Sequence, residues 1–362
     1  MMRRWLWGAG IAAVVVIAGW GALRLLQADI GMTIFERQAK EIVGTDPSAG
    51  LENGLHVYLC GTGSPLPDPS RAGPCLGILA GRSAFIFDTG SGSMRKLARM
   101  GFPMGEVKAA FLTHLHSDHI DGLGEMMLQA WIVGNRSTPL PLFGPVGTEQ
   151  VGGSFVAAYQ IDSVYRVAHH GEKIANPQGF GLAAEEIEFD EGRRQAVVYE
   201  AGGVTITAFL VNHEPVAPAL GYRVEYAGRS VTISGDTVKD DTVILMARDT
   251  DLLVHEALNR DMVLLMADAA KTNGNSGLSK IFSDILDYHA SPEEAAEVAE
   301  SAGAGMLVLT HIVPPLPSRF LYPAFLGEAP DRFSGDVVVG EDGMRVSLPA
   351  NAQTQSIRQL LD

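Results

Sequence analysis

The sequence predicts an α/β fold in which two sheets pack face to face and helices cover their outer surfaces. Short apolar runs come in pairs around turn residues, as at Gly81-Arg82 and Ala227-Gly228-Arg229, which is typical of hairpins. Later strands are single and alternate with helical segments. With 362 residues, 46% of them hydrophobic, the chain can bury one large core and is neither disordered nor fibrous.

The first predicted strand, Leu55 to Cys60, ends in the tight turn Gly61-Thr62-Gly63-Ser64-Pro65. The other predicted strands are 78–80, 85–87, 109–112, 204–210, 222–226, 230–233, 252–254 and 306–309. A helix is expected to begin after Ser291, because Ser291 and Glu294 form a capping-box pattern, and to end before Gly303.

An apolar run from Trp5 to Leu23 follows Arg3 and Arg4. Its nineteen residues would form a helix about 28 Å long, close to the thickness of a bilayer. We therefore expect a signal-anchor or transmembrane helix in residues 1–29, a linker in 30–51 and the catalytic domain in 52–362. The basic N-terminus would stay inside, so the domain would be exported and anchored on the periplasmic side. A cleaved signal peptide and a buried soluble helix remain alternatives.

The charge balance is acidic, with 27 Lys and Arg against 42 Asp and Glu, a formal net charge of −15. Sequence-independent binding to phosphate backbones needs clustered cations, so this balance argues against it.

The two cysteines, Cys60 and Cys75, are too few for a disulfide scaffold. A single disulfide between them and two buried thiols are both open, and two thiols are the simpler expectation.

The segment His114-Leu115-His116-Ser117-Asp118-His119 directly follows a predicted strand. It holds four potential metal ligands in six residues, and imidazole with carboxylate suits zinc or a similar metal. His213, Asp236 and His311 also come just after predicted strands. Because functional sites form where strand ends meet, we expect these side chains to converge.

The sequence resembles the metallo-β-lactamase superfamily and, within it, the ribonuclease Z and arylsulfatase-like branch. The motifs that carry the resemblance stand in the family's order and span about residues 52–345: Gly61-Thr62-Gly63-Ser64-Pro65, Asp88-Thr89-Gly90, Thr113 to His119, Ser234-Gly235-Asp236-Thr237, His255-Glu256-Ala257 and Thr310-His311. The resemblance implies the αββα sandwich of two mixed sheets with outer helices.

The resemblance also implies two zinc ions, although other divalent first-row metals would fit. The implied ligands are His114, His116 and His213 for one ion, Asp118, His119 and His311 for the other, and Asp236 for both. A hydroxide bridging the metals would attack the substrate. Asp88 would orient the ligating imidazoles from behind, or else cap its strand.

His255 is expected to distinguish the branches, because ribonuclease Z-like phosphodiesterases resemble this chain in having a histidine here. It would donate a proton to the leaving side, and with Asp118 it is our predicted catalytic pair. The alternative is a core histidine bonded to backbone. Glu256 would orient His255 or lie exposed.

The ribonuclease Z family carries a basic arm that grips transfer RNA, and this chain departs from that pattern. Between Gln160 and Arg194 it has seven acidic and four basic residues. We therefore expect an exported, membrane-tethered dinuclear zinc hydrolase of small phosphodiester or aryl sulfate esters, with no nucleic-acid partner. A β-lactam or lactone hydrolase and a non-catalytic metal-binding surface protein are the alternatives, and a homodimer is left open.

Overall fold

The computed structural model describes residues 2–350, 352 and 354–361, with side chains from residue 20 onwards except that of residue 22. The chain divides into two compact units, one up to Ala49 and one from Gly50 onwards. The first unit is built on one long helix, α1 (Met2–Ile42). The predicted span from Trp5 to Leu23 falls on this helix, and most of its side chains lie outside those described. Among the described residues, no helix combines the length and apolarity needed to cross a membrane.

The described strands of the second unit are β1 (Gly54–Gly61), β2 (Cys75–Ala80), β3 (Ser83–Phe87), β4 (Val107–Phe111), β5 (Leu140–Gly144), β6 (Leu182–Glu186), β7 (Gln195–Ala201), β8 (Val204–Val211), β9 (Ala219–Tyr226), β10 (Arg229–Ile233), β11 (Leu252–Leu258), β12 (Met306–Val313), β13 (Asp336–Val339), β14 (Met344–Pro349) and β15 (Ser356–Gln359). Its helices are α2 (Ser93–Arg99), α3 (Ser117–Ile120), α4 (Leu123–Gly134), α5 (Thr148–His170), α6 (Asp241–Met246), α7 (Arg260–Thr272), α8 (Ser276–Asp284), α9 (Pro292–Ala302), α10 (Tyr322–Leu326) and α11 (Ala329–Arg332). Each strand predicted from the sequence overlaps one of these strands.

The strands form two mixed sheets. The order in the first is β15-β14-β1-β2-β3-β4-β5-β6, and in the second β13-β12-β11-β10-β9-β8-β7. In the first sheet β3 to β6 run parallel, and in the second β10 to β13 run parallel. The predicted sandwich of two mixed sheets with helices is confirmed, whereas its transmembrane helix is not found among the described residues.

A continuous apolar core lies between the two sheets. Phe87 and Phe111 from the first sheet stack with ring centroids 5.0 Å apart, and Tyr222 from the second sheet lies 5.3 Å and 5.5 Å from them. The hydroxyl of Tyr222 donates to the carbonyl of Leu112 at 2.6 Å, which satisfies its one polar atom. This contact joins the end of β4 to the opposite sheet, directly beside the histidine-rich segment.

The predicted capping box opens α9. The Ser291 hydroxyl accepts from the Glu294 amide at 3.2 Å, and the Glu294 carboxylate accepts from the Ser291 amide at 2.8 Å. Gly303 ends the helix with a left-handed φ of 66°. The cap fixes the chain just before α9, and therefore fixes His289.

Cys60 and Cys75 form a disulfide, so the simpler expectation of two thiols is wrong. The cause is strand register. β1 and β2 are antiparallel neighbours, and a bulge after Leu59 brings the two Cα atoms to 5.2 Å. The disulfide closes the segment that carries the Gly61-to-Pro65 motif.

Candidate metal centre

The predicted metal ligands meet at one edge of the sandwich. His114 follows β4, His213 follows β8, Asp236 follows β10, and His311 lies near the end of β12. β8 and β10 are both antiparallel to β9, so they point the same way, and β10 is parallel to β11 and β12. Their carboxyl ends therefore share one edge, as the sequence predicts.

Asp236 lies at the centre of the cluster. Its Oδ2 is 3.2 Å from His311 Nε2, 3.4 Å from His119 Nε2, 3.8 Å from His114 Nε2 and 4.0 Å from His213 Nε2. One buried carboxylate oxygen thus faces four imidazole nitrogens. This is the place expected of a ligand shared by two ions.

Two groups of donors flank Asp236. Within each group the potential ligand atoms lie within 4.8 Å of one another: His114, His116 and His213 in one, and Asp118, His119 and His311 in the other. The second group includes a carboxylate, and Asp118 Oδ2 lies 3.4 Å from His311 Nε2 and 3.6 Å from His119 Nε2.

Several of these atoms are buried without a hydrogen-bond partner. They are Asp118 Oδ2, His119 Nε2, His213 Nε2 and His311 Nε2. A buried polar atom without a partner is costly, and divalent cations bound by the two groups would satisfy these four atoms. The donor set of imidazoles and carboxylates therefore fits such a cation.

The electrostatics suit cation binding. Burial lowers the pKa of His114 well below its usual value and lowers that of His213 to about 4, so both imidazoles are neutral and can act as ligands. Burial opposes ionisation of Asp236, but the imidazoles of His311 and His119 outweigh it and hold its pKa well below the usual range. Burial opposes protonation of His119, but the carboxylates of Asp236 and Asp88 outweigh it and raise the His119 pKa well above its usual value, so a cation bound there would displace the proton of His119.

Backbone and carboxylate acceptors hold the ligating rings from behind. Asp88 Oδ2 lies 2.8 Å from His119 Nδ1, and Asp88 also accepts from the amide and hydroxyl of Thr113, each at 2.8 Å. The carbonyl of Tyr288 lies 2.9 Å from His213 Nδ1. These contacts hold the proton of each ring on Nδ1, on the side away from the cluster, so Nε2 is free to bind a cation. Asp88 thus stands where the sequence predicts an orienting carboxylate.

Two glycines of the sequence motifs allow neighbouring backbone segments to approach each other closely. Gly235 has φ 65°, and a Cβ there would collide with the carbonyl of Leu220. A Cβ on Gly90 would collide with the carbonyl of Asp118. These glycines let the segments carrying Asp236 and Asp118 pack closely enough for the ligands to meet.

His255 does not face the cluster. It is fully buried, its Nδ1 donates to the carbonyl of Glu256 at 2.8 Å, and it does not line the two cavities, of about 30 Å³ and 260 Å³, that Asp236 and His311 line. Successive side chains of a strand point to opposite faces, and Leu253 and Ala257 on the same side pack towards the outer helices. Burial lowers the pKa of His255 to about 4. This is the core-histidine alternative, not the geometry expected of a proton donor.

His289, unlike His255, lines the cleft beside the metal ligands. Glu256 Oε1 lies 2.9 Å from His289 Nδ1 and accepts from the amides of Ala290 at 3.1 Å and Thr237 at 3.2 Å. His289 also groups with Asp236 and His311 as a potential ligand set. From the sequence alone His289 is expected to support the fold or the ligands, because it follows no strand. Its position two residues before a strong helix cap was the available signal.

A cleft of about 260 Å³ opens onto the ligands. Its polar lining includes His116, Asp118 and His289. Its apolar lining includes Leu66 after β1 and Ile281, Ile285 and Tyr288 in and after α8. A substrate in this cleft would meet the metal ligands and an apolar wall together.

Comparison with known proteins shows which families and structures this chain resembles. Residues 84–312 match the family model of the β-lactamase superfamily domain. A ribonuclease Z of Mycobacterium bovis (strain BCG / Pasteur 1173P2) is 37% identical over 297 residues, covering 81% of this chain and 98% of the relative. A ribonuclease Z of Mycobacterium sp. (strain KMS) is 40% identical over 263 residues, covering 72% and 85%. The crystal structure of the short form of human tRNase Z aligns with a TM-score of 0.57 and 23% identity, covering 81% and 99%.

These relatives correct the predicted function. They are named as nucleases, so the expectation of a hydrolase of small phosphodiester or aryl sulfate esters, with no nucleic-acid partner, is wrong. The net charge of −15 does not predict the partner, because a local cluster of cations, not the total charge, determines phosphate binding. The expected export and membrane anchoring are wrong for the same reason, and no described helix can cross a membrane. Together, the fold and the His and Asp groups indicate a divalent metal.

Proposed function

The chain belongs to the metallo-β-lactamase superfamily and, within it, to the ribonuclease Z branch, and from this we propose that it is a metal-dependent ribonuclease that hydrolyses phosphodiester bonds of transfer RNA. The observation that carries the proposal is the Asp236 oxygen within 4.0 Å of four imidazoles at the floor of an open cleft. The metal-dependent hydrolase activity follows from the family, and the RNA substrate is our proposal.

We place two zinc ions at the cluster. The residues that would hold them are His114, His116 and His213, then Asp118, His119 and His311, with Asp236 shared. Bound there, divalent ions lower the pKa of water and polarise a phosphoryl oxygen. Asp118 also lines the cleft, so its second carboxylate oxygen can accept a hydrogen bond from the attacking water.

His289 is the residue we propose for protonating the leaving oxygen. It lines the cleft, and its Nδ1 is held by Glu256, which leaves Nε2 as the ring nitrogen for substrate. A positioned general acid is worth roughly 10²–10⁴-fold in rate. Glu256 is then a positioning residue, because it bonds both the His289 ring and the backbone that follows it.

The test is an assay of the zinc-loaded protein on transfer RNA precursors extended at either end. Bis(p-nitrophenyl) phosphate, p-nitrophenyl sulfate and nitrocefin serve as comparison substrates. We expect RNA cleavage that depends on metal, and no turnover of the sulfate or nitrocefin. Turnover of nitrocefin or the sulfate without RNA cleavage would overturn the proposal.

Two variants separate the site from the fold. His289→Ala should lower the rate on RNA by roughly 10²–10⁴-fold while zinc content is retained. His170→Ala is the matched control, because His170 is an exposed histidine at the end of α5. Equal rates for the two variants would remove His289 from the mechanism.

A further inference from the structure

A ribonuclease on so acidic a chain needs a local site for the RNA backbone, and the structure offers one beside the cleft. A cavity of about 510 Å³ lies between α2, the segment after β1 and the segment after β12. Its charged lining residues are Arg71, Lys96, Arg99, Arg319, Glu341 and Asp342. We propose that this cavity, called the basic cavity below, binds backbone phosphates of the RNA near the cleaved bond. The inference rests on the proposed function.

The charge of the lining supports an anionic ligand. The basic cavity has four cationic side chains and two carboxylates, although the chain as a whole carries −15. Another large cavity, at the turn between β9 and β10, has two arginines against three carboxylates. The cleft itself contains the carboxylates of Asp118 and Asp236. Of these three cavities, the basic cavity is the one whose side chains favour phosphate.

The cations of the basic cavity differ in how strongly neighbouring groups already bind them. Arg71 is buried and bonded to Thr62, Gly340 and Tyr322, and Lys96 pairs with Asp342 at 2.6 Å, so both belong to the floor. Arg319 pairs with Glu341, but its side chain is 72% exposed. The Arg319 guanidinium is therefore open to solvent and can exchange Glu341 for a phosphate.

Arg99 is the most available cation. It is exposed at the end of α2 and makes no hydrogen bond or ion pair with any described residue. A guanidinium without a partner at the mouth of a cavity can bind a phosphate through two parallel hydrogen bonds. We therefore assign Arg99 the main contact and Arg319 the second.

The basic cavity adjoins the cleft through two shared segments. Leu66 lines the cleft and Ser70 lines the basic cavity, while Val313 lines the cleft and Leu316 the basic cavity. At 3.8 Å per residue these pairs are at most about 15 Å and 11 Å apart. At about 3.4 Å of rise per nucleotide, that is roughly three to four nucleotides of one strand. One RNA strand can therefore reach both.

The floor between the two cavities is rigid. Asp342 accepts from the Thr62 amide at 2.8 Å, the Thr62 hydroxyl at 2.7 Å and the Ala72 amide at 2.6 Å. Thr62 belongs to the Gly61-to-Pro65 motif, and Ser64 and Pro65 of the same motif line the cleft. A phosphate in the basic cavity would thus be held in a fixed position relative to the metal ligands.

The test is charge reversal at Arg99. Arg99→Glu is compared with Arg248→Glu, which removes another exposed arginine, just before β11 and so at the opposite edge of the sheet from the metal ligands. We measure kcat/KM of the zinc-loaded protein on a transfer RNA precursor at several salt concentrations, and on bis(p-nitrophenyl) phosphate. Melting temperatures check that both variants are folded.

We expect Arg99→Glu to raise KM for RNA by about tenfold with little change in kcat, and to reduce the salt dependence by roughly 0.7–1 in log–log slope. The rate on the small diester should not change, and Arg248→Glu should match the wild type throughout. Arg319→Glu should act in the same direction as Arg99→Glu.

Three results would overturn or redirect the inference. If the wild type cleaves RNA and Arg99→Glu has the same KM and salt slope, the basic cavity does not bind RNA. If Arg99→Glu loses activity on the small diester to the same extent as on RNA, the substitution acts on the cleft and the inference fails. If the wild type does not cleave RNA at all, the proposed function fails first.

Discussion

Replacing His255 by glutamine is predicted to change the acid stability of the protein and not its chemistry. His255 is fully buried, and its pKa is lowered to about 4 from 6.5 because burial disfavours the charged imidazole. The unfolded chain takes up a proton near pH 6.5, whereas the folded chain does so only near pH 4. The unfolded state therefore holds one more proton between these values, and the free energy of unfolding falls as the pH decreases.

The size of this effect follows from the two pKa values. One extra proton corresponds to about 1.4 kcal/mol per pH unit, and the window of roughly 2.5 units gives about 3 kcal/mol for His255. His255→Gln lacks the titrating group, so its stability should decline less steeply between pH 6.5 and pH 4. At neutral pH the variant should be less stable, since glutamine does not reproduce the packing of the ring.

The assay is urea unfolding of the metal-free protein at half-unit steps from pH 4 to pH 7. His170→Gln, an exposed histidine, is the control and should follow the wild type. The reasoning is refuted if His255→Gln keeps the wild-type dependence on pH. A folded, zinc-replete His255→Gln that loses 10²-fold or more on RNA would instead restore His255 as the proton donor.

Three further predictions concern the disulfide, the metal and the helix cap. Replacing Cys60 and Cys75 by alanine should lower the free energy of unfolding by about 3 kcal/mol, since their separation is 15 residues; urea unfolding measures this, and an unchanged midpoint would contradict it. Chelation should abolish RNA cleavage and added Zn²⁺ restore it, while His116→Ala should lose zinc by elemental analysis; full zinc occupancy in that variant would disprove the ligand set. Ser291→Ala should cost about 1 kcal/mol, seen as a lower melting temperature, because it removes the α9 cap; an unchanged melting temperature would count against it.

The sequence alone determined the features that depend on local pattern. Apolar runs and turn residues predict nine of the fifteen described strands, because side-chain alternation and glycine conformations act over a few residues. The seven side chains predicted as ligands follow the ends of β4, β8 and β10 or lie near the end of β12, and the structure brings them together at one edge. The cap at Ser291 was equally local, and α9 begins and ends as expected.

Tertiary structure decided what depends on the direction of a side chain or on distant segments. His255 and Glu256 are neighbours, but they point to opposite faces of β11, so only the strand's orientation shows that Glu256, not His255, contacts the cleft residue His289. Cys60 and Cys75 pair because of a bulge in the register of β1 and β2. The basic cavity gathers Arg99 and its neighbours from three separate parts of an acidic chain. Net charge adds up along a sequence, whereas electrostatic potential is set by which charges the fold brings together.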